Sequence, residues 1–378
     1  MAFVSVEDFR EVARKRLPHF LFEYIDGGAY DEETLKRNRS DLKALTLRQR
    51  VLKDMSDLDV SVDWFNAEYS LPVGLAPIGL AGMNRRRGER QASCAAAKVG
   101  VPFTLSTLSV CPLKEVAIDG GRPFWFQLYM MKDRALMRDL LAEAQELGCG
   151  ALIFTVDMPV PGTRYRDYRS GLAGADGVFG DLRRVAQAMA RPAWAWDVGL
   201  WGRPHNLGNV ALGRQTGLED FFQWMRDNFD ASIGWKELEF IRSEWRGPLI
   251  LKGILDIDDA KEAVAIGADG IVVSNHGGRQ LDGVSSTATA LAGIGPVVRD
   301  DITVFVDGGV RSGLDVLRML ALGAHGVLLG RAWAYALAAA GEEGVARLLN
   351  IIEMELKVAM TLTGTRSVRS VSSDILMR

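Results

Sequence analysis

The run ITVFVDGGVRSGLDVLRMLALGAHGVLLGR, residues 302–331, holds a whole strand–helix–strand unit. ITVFVDGG (302–309) reads as a strand, and a helix opens at Ser312, with Asp315 placed as in a capping box, and stops at Gly323. HGVLLGR (325–331) is the second strand. Both strands are apolar without alternation, as expected of parallel strands covered on both faces. The unit recurs upstream. Apolar runs lie at LPVGLAP (71–77), VPFTLS (101–106), FWFQLY (124–129), ALIFTVD (151–157), PLILKG (248–253) and DGIVVSN (269–275). Helical patterns separate them; over 132–147, Ala135, Leu136, Leu140, Ala144 and Leu147 share one face. About eight β-then-α units predict an α/β fold of the (β/α)8 TIM-barrel type. A doubly wound sheet is the alternative, but no strand leads into a G-x-G-x-x-G that opens a helix.

One interval breaks the rhythm. Residues 158–247, about 90 residues between the fourth and fifth strands, far exceed an ordinary connection. This insertion contains GADGVFGDLRRVAQAMARPAWAWDVGLWGRPHNLGN (174–209) and helical patterns near 217–229 and 235–245. Residues 1–70 form an N-terminal segment expected to cover the barrel's bottom or flank its mouth, and 341–378 a closing helix (341–363) with a polar tail. The chain, 1–378, reads as a single barrel domain.

Composition narrows the function classes. With a formal charge of −3 over 378 residues there is no electrostatic case for nucleic acid. Cys94, Cys111 and Cys149 have no metal-ligand spacing and read as buried, reduced thiols, which suits a cytoplasmic protein without a metal. The N-terminus, MAFVSVEDFREVARKRLPHF, is amphipathic, carries acids early and lacks the apolar run of a signal peptide. No stretch reaches the roughly 20 apolar residues that span a bilayer.

In such a barrel the chemistry gathers at the C-terminal ends of the strands. Those ends carry Gln127 and Tyr129, Thr155 and Asp157, Lys252, then Ser274, His276 and Arg279, then Asp307 and Arg311, and finally Gly330 and Arg331. Glycines at DGGVRSG (Gly309 among them) and at Gly330 expose backbone amides beside helix starts, and Arg311 and Arg331 add charge, as at the phosphate site that barrels build from their last two loops. In SNHGGRQLDG (274–283) a histidine stands near an arginine between glycines. Histidine is suited to proton transfer near neutrality and arginine to a bidentate grip on a carboxylate. His19, His205 and His325 lack such company and read as structural or surface residues.

SNHGGRQLDG, with FQLY (126–129), TVD (155–157), LKG (251–253) and DGGVR (307–311), resembles the family of FMN-dependent enzymes that oxidise 2-hydroxy acids. The likeness runs from YIDGGAYDEETL (24–35) to MTLTGTRS (360–367), and WAWDVGLWGRPHNLGN with the C-terminal VAMTLTGTRS most resembles the family's bacterial respiratory, lactate-oxidising members. The resemblance implies oxidation of L-lactate to pyruvate, with electrons passed to a quinone or other respiratory acceptor, by a homo-oligomer, a tetramer in the family. It further implies that His276 takes a proton as two electrons pass to flavin N5, and that Asp157 orients it and raises its pKa. Arg279 and Tyr24 would hold the carboxylate with Arg164 near, and Tyr129 would bond the substrate oxygen. Lys252 would face the N1–C2=O edge of the flavin, and Ala76, Pro77, Ser106, Gln127, Thr155, Ser274, Asp307, Gly309, Arg311, Gly330 and Arg331 would cradle FMN. Gly79 and Leu108 stand where glycolate oxidases carry Ala and Trp, so a pocket larger than glycolate needs is expected; mandelate stays open as substrate, and O2 as acceptor.

The insertion carries Trp194, Trp196 and Trp201 among Arg183, Arg184, Arg191, Arg203 and Arg214. That mixture suits an anionic bilayer surface, which predicts peripheral contact through 176–210 on the inner face of the cell membrane. The competing reading is a lid whose tryptophans pack on the barrel.

Overall fold

A computed structural model of the chain describes residues 2–120, 124–174, 177–203, 205–210 and 218–377. A short antiparallel hairpin, β1 (Val62–Trp64) and β2 (Ala67–Tyr69), precedes eight parallel strands. These are β3 (Val73–Leu75), β4 (Phe103–Ser106), β5 (Phe124–Tyr129), β6 (Leu152–Thr155), β7 (Leu249–Ile254), β8 (Gly270–Val273), β9 (Thr303–Val306) and β10 (Gly326–Leu329). They pair in chain order, and β10 returns to β3 through Val327–Val73, Leu328–Gly74 and Leu329–Leu75, so the sheet is the expected closed barrel and not a doubly wound sheet.

Most of the strands are shorter than the apolar runs, and three of them start just after a proline. Pro72, Pro102 and Pro248 cannot donate to a ladder and so stand just before β3, β4 and β7. Their carbonyls still accept, from Val327 N, Leu75 N and Leu152 N, each at 2.9 Å. The helix after β9 is Gly313–Ala321, and Ser312 Oγ accepts Asp315 N at 3.1 Å. The capping box is only half formed, because Asp315 Oδ2 reaches back to Arg311 N (3.0 Å). The closing helix starts directly after β10 and runs Arg331–Thr363, interrupted at Gly341 (φ 65°).

The N-terminal segment reaches both ends of the barrel. Its hairpin closes the bottom, where the Trp64 ring lies 4.9 Å from Phe305 and 6.1 Å from Trp125, centroid to centroid. A Cβ on Gly326 would sit 2.3 Å from Trp64 Cζ2, so only glycine fits where β10 begins. Its helices, Val6–Arg16, His19–Asp26 and Glu33–Ala44, lead to the mouth. There Asp26 accepts from Arg10 Nε (2.6 Å), Arg166 Nη2 (2.8 Å) and Tyr335 Oη (2.7 Å), joining this segment to the insertion and the closing helix. Asp282 accepts the amides of Glu33 (3.2 Å) and Thr34 (2.7 Å) and so fastens the third helix to the histidine loop.

The insertion forms helices Tyr165–Ser170, Val178–Met189, Leu218–Asn228 and Glu237–Glu244, the last two where helical patterns were read. Asp176, Gly217 and Arg214 lie outside the described residues. The cysteines are unpaired, but only Cys111 is buried; Cys94 and Cys149 are partly exposed, a correction to the sequence reading. Among the described residues no cluster could hold a metal ion, and no helix is long and apolar enough to cross a membrane.

Replacing Gly326 by Ala forces Trp64 aside, and overpacking of this kind costs about 1–3 kcal/mol. Gly326→Ala should therefore lower the urea midpoint while leaving ligand binding at the opposite end of the barrel unchanged; an unaltered midpoint would show that the hairpin does not press on β10.

Candidate active site

The histidine loop is held in a conformation few side chains tolerate. His276 has φ 56°, followed by Gly277 at 66° and Gly278 at 71°. A left-handed non-glycine residue costs of order 1–3 kcal/mol and persists only where its surroundings impose it. They do so here. Ser274 Oγ accepts His276 N at 3.1 Å, and Asn275 Oδ1 accepts Gly278 N at 3.0 Å. Asn275 and Asn38 exchange reciprocal amide bonds of 2.8 Å, tying the loop to helix Glu33–Ala44. The turn brings His276 Nδ1 to 3.0 Å from Asp157 Oδ1 and leaves Nε2 as the nitrogen available to the cavity that His276 lines.

Sequence reasoning expected Asp157 to raise the histidine's pKa. The structure corrects the net direction. Burial is the largest effect and lowers it, Lys252 and Arg164 push the same way, and together they outweigh the upward pull of Asp157. His276 is thus a neutral acceptor at pH 7. Asp157 stays ionised, below the usual carboxylate range, because His276 and Lys252 outweigh its burial.

His276 faces a cavity of about 1050 Å³, counted out to its open mouth. It is also lined by Tyr24, Ala76, Pro77, Tyr129, Thr155, Arg164, Lys252, Arg279, Asp307, Gly309, Arg311, Gly330 and Arg331. The other four residues predicted for the site, Asp157, Ser106, Gln127 and Ser274, stand one layer behind the wall. Gln127 Nε2 donates to Thr155 Oγ1 (3.0 Å) and its Oε1 accepts from Ser106 Oγ (3.1 Å), a polar string across β4, β5 and β6. Ser274 Oγ donates to Asp307 Oδ1 (2.7 Å) and accepts from Lys252 Nζ (2.9 Å), which also meets Asp307 Oδ2 at 3.1 Å. Burial opposes the Lys252 charge, but Asp307 and Asp157 more than offset it and hold its pKa high. Burial first, then Asp157, raises the Tyr129 hydroxyl, which stays protonated as a donor.

The arginines are the unusual feature. Arg279, Arg311 and Arg331 are half-buried in the cavity wall, and burial is the main cause holding each below the usual guanidinium range. Among the described residues none of the three forms an ion pair with a carboxylate. Arg279 Nη1 donates to Gly27 O (2.8 Å) and its guanidinium lies 4.9 Å from the Tyr24 ring centroid. Arg331 Nη2 donates to the same carbonyl (2.7 Å), and Arg311 Nη1 to Val310 O (2.8 Å). Arg164 leans on Arg279 O (3.2 Å) with Asp167 at 3.7 Å. A guanidinium does not deprotonate at neutral pH, so this mouth holds positive charge that asks for anions from outside.

Three residues escaped sequence reasoning. Gln280 Nε2 donates to Asp157 O (2.9 Å) and Val160 O (3.0 Å), and its Oε1 accepts Gly162 N (2.9 Å), clamping the loop after β6 to the histidine loop. Its place inside SNHGGRQLDG was the available signal. Met158 and Met225 line the cavity, and nothing in the sequence shows that a helix of the insertion delivers Met225 there. The enlargement expected from Gly79 is smaller than the residue types imply. A Cβ at Gly79 would already lie 3.3 Å from Leu108 Cβ, so the leucine occupies that side.

Known proteins agree with this geometry. The profile of the FMN-dependent dehydrogenases matches residues 13–378. The chain belongs to that family. An L-lactate dehydrogenase of Caulobacter sp. (strain K31) is 61% identical, covering 100% of this chain and 99% of its own. One of Alcaligenes faecalis is 58% identical over 100% of both. Among solved structures, a monotopic membrane protein, (S)-mandelate dehydrogenase, superposes with a TM-score of 0.93 at 33% identity over 100% of both chains. A mandelate oxidase follows with a TM-score of 0.84 at 37% identity, covering 98% of this chain and 97% of that one.

The residues present suit the cofactor of an FMN-dependent dehydrogenase. A phosphate needs donors and positive charge, and both lie at one end of the cavity. Arg311 and Arg331 stand there without carboxylate partners, beside the start of helix Arg331–Thr363. At Gly330 a Cβ would meet nothing within 4 Å, so the backbone there is open to approach.

Proposed function

We propose that this FMN-dependent dehydrogenase oxidises L-lactate to pyruvate. The observation that carries the reading is a neutral His276, hydrogen-bonded to Asp157, on the same cavity as Arg279, which has no carboxylate partner among the described residues. The lactate dehydrogenases at 58–61% identity support lactate as the acid. Arg311, Arg331, Lys252 and the glycine loops would hold FMN, which would supply the acceptor for the substrate's two electrons and for the hydrogen that His276 does not take. Arg279 grips the carboxylate, with Arg164 and the Tyr24 hydroxyl beside it, and so sets the orientation of the hydroxyl-bearing carbon. Tyr129 donates to the substrate oxygen. His276 Nε2 takes the proton that the substrate releases, and Asp157 keeps Nδ1 protonated and steadies the imidazolium. Lys252, held charged by Asp307, would supply fixed positive charge to the bound cofactor without giving up its own proton.

We further infer that the electrons pass to a membrane quinone and that the insertion rests on the inner face of the bilayer. On helix Val178–Met189 the residues Val178, Phe179, Leu182, Val185 and Met189 are all exposed, Phe179 at 88%, and Trp196 and Trp201 are exposed nearby. Trp194 differs: it is buried, and its Nε1 donates to Met83 O at 2.7 Å, so the lid reading fits that residue. The arginines are engaged rather than free, Arg183 with Arg169 O (2.6 Å), Arg191 with Leu17 O (3.1 Å), Arg203 with Gly199 O (3.1 Å) and Arg184 with Asp181 (2.6 Å). The apolar stripe, more than the tryptophan–arginine mixture, supports the membrane reading.

Under anaerobic conditions lactate should bleach the flavin absorbance, and His276→Gln should slow this by about 10²–10⁴ with flavin still bound. The base form is the active one, so the rate falls as pH drops through the His276 pKa. That pKa lies below 6.5, so at pH 6.5 the rate should exceed half of its plateau. Asp157→Asn removes an upward pull and should move the acid limb to still lower pH while slowing the plateau; a limb moved to higher pH, or an undiminished rate in His276→Gln, would refute the assignment. For the membrane reading, the protein should co-sediment with vesicles containing anionic lipid and a Phe179→Asp, Leu182→Asp variant should not. Equal sedimentation of the two would remove the stripe from consideration.

A further inference from the structure

The insertion does more than cover the mouth: it supplies one wall of the substrate chamber. Met225 sits near the end of helix Leu218–Asn228, is buried, and lines the same cavity as His276 and Arg279. Its position is anchored one turn further along. Lys132 N donates to Asn228 O (2.8 Å) and Asp230 N to Met130 O (3.1 Å), so the insertion is stitched to the chain leaving β5. The Phe229 ring packs on Tyr129 at 4.9 Å between centroids, and Arg134 Nη2 meets Asp230 Oδ2 at 2.6 Å.

With a carboxylate on Arg279 and the reacting carbon at His276, the substrate's third substituent must turn to the remaining wall. Among the apolar side chains that line the cavity are Leu108, Met158 and Met225. Leu108 is fixed, since its amide donates to Ser106 Oγ (3.1 Å) and its carbonyl accepts Leu80 N (2.9 Å). Met158 adjoins Asp157 on the loop that Gln280 clamps. Of these three, Met225 comes from the insertion, on an unbranched and flexible thioether chain. Such a side chain can fold away from an added methylene without stranding a polar group. A flat ring attached directly to the reacting carbon would instead press on the fixed Leu108.

We infer that Met225 is a specificity-determining residue, which sets how long a side chain the acid can carry and makes unbranched aliphatic 2-hydroxy acids the substrate class. This rests on the lactate reading and extends it. The test measures anaerobic flavin reduction by lactate, 2-hydroxybutyrate, 2-hydroxyhexanoate and mandelate in the wild-type holoenzyme, Met225→Ala, Met225→Leu and Met225→Phe, with bound flavin quantified by absorbance. The quantity read is the ratio of second-order reduction rates for 2-hydroxyhexanoate and lactate. One methylene in an apolar pocket is worth at least about tenfold. Met225→Ala should raise the ratio by about tenfold, Met225→Phe should lower it by as much, and Met225→Leu should stay near wild type. Ratios within threefold of wild type in the Ala and Phe variants, with flavin bound, would overturn the inference, as would a wild type that prefers mandelate to 2-hydroxyhexanoate. Failure of lactate to reduce the wild-type flavin is a separate result, which sinks the lactate reading itself.

Discussion

Positive charge held at the cavity wall without a carboxylate partner is the constraint around which this mouth is built. Arg279 and Arg331 share the carbonyl of Gly27, and Arg311 rests on its own neighbour's carbonyl. Carbonyl oxygens solvate a guanidinium but do not neutralise it. Half-buried cations of this kind are costly to keep unless ligands bring the missing charge. A flavin phosphate and a substrate carboxylate are the two anions that FMN-dependent hydroxy-acid chemistry brings. The shared carbonyl means that the groups proposed for cofactor and substrate lean on one point of the N-terminal segment.

The rest of the structure keeps those charges from collapsing onto carboxylates. Asp26, close by, is fully occupied by Arg10, Arg166 and Tyr335. Asp307 is taken up by Lys252 and Ser274, and Asp157 by His276. Each acid near the mouth therefore has its own partner. The strained His276 turn is held by Ser274, Asn275 and Asn38, and Gln280 keeps the Asp157 loop in register with it. Burial then lowers the histidine's proton affinity, and Asp157 restores part of it.

Much of this was legible in the sequence because barrel strands announce themselves as short apolar runs whose ends carry chemistry. Fourteen of the eighteen predicted site residues line one cavity, and the other four support it from behind. What escaped was set by tertiary geometry. The direction of the His276 shift depends on depth of burial and on cations contributed by other strands, which no local motif encodes. Asp315 looked like half of a capping box, yet its carboxylate reaches Arg311 instead of the N-cap amide. The three insertion tryptophans looked alike, but Trp194 is core while Trp196 and Trp201 are exposed. Met225 was invisible because the packing of an inserted helix onto a barrel leaves no periodic trace.

Comparing FMN with riboflavin as ligands of the apoprotein tests the central claim most directly. The two share the ring system and differ by the phosphate. Two charge-assisted contacts at about 1.5–3 kcal/mol each amount to roughly 10²–10⁴ in affinity. Calorimetric titration should show FMN binding tighter than riboflavin by that factor, and the advantage should shrink when Arg311 and Arg331 are both replaced by Gln. Equal affinities in the native protein would mean that these arginines are not waiting for an anion, and would contradict the account.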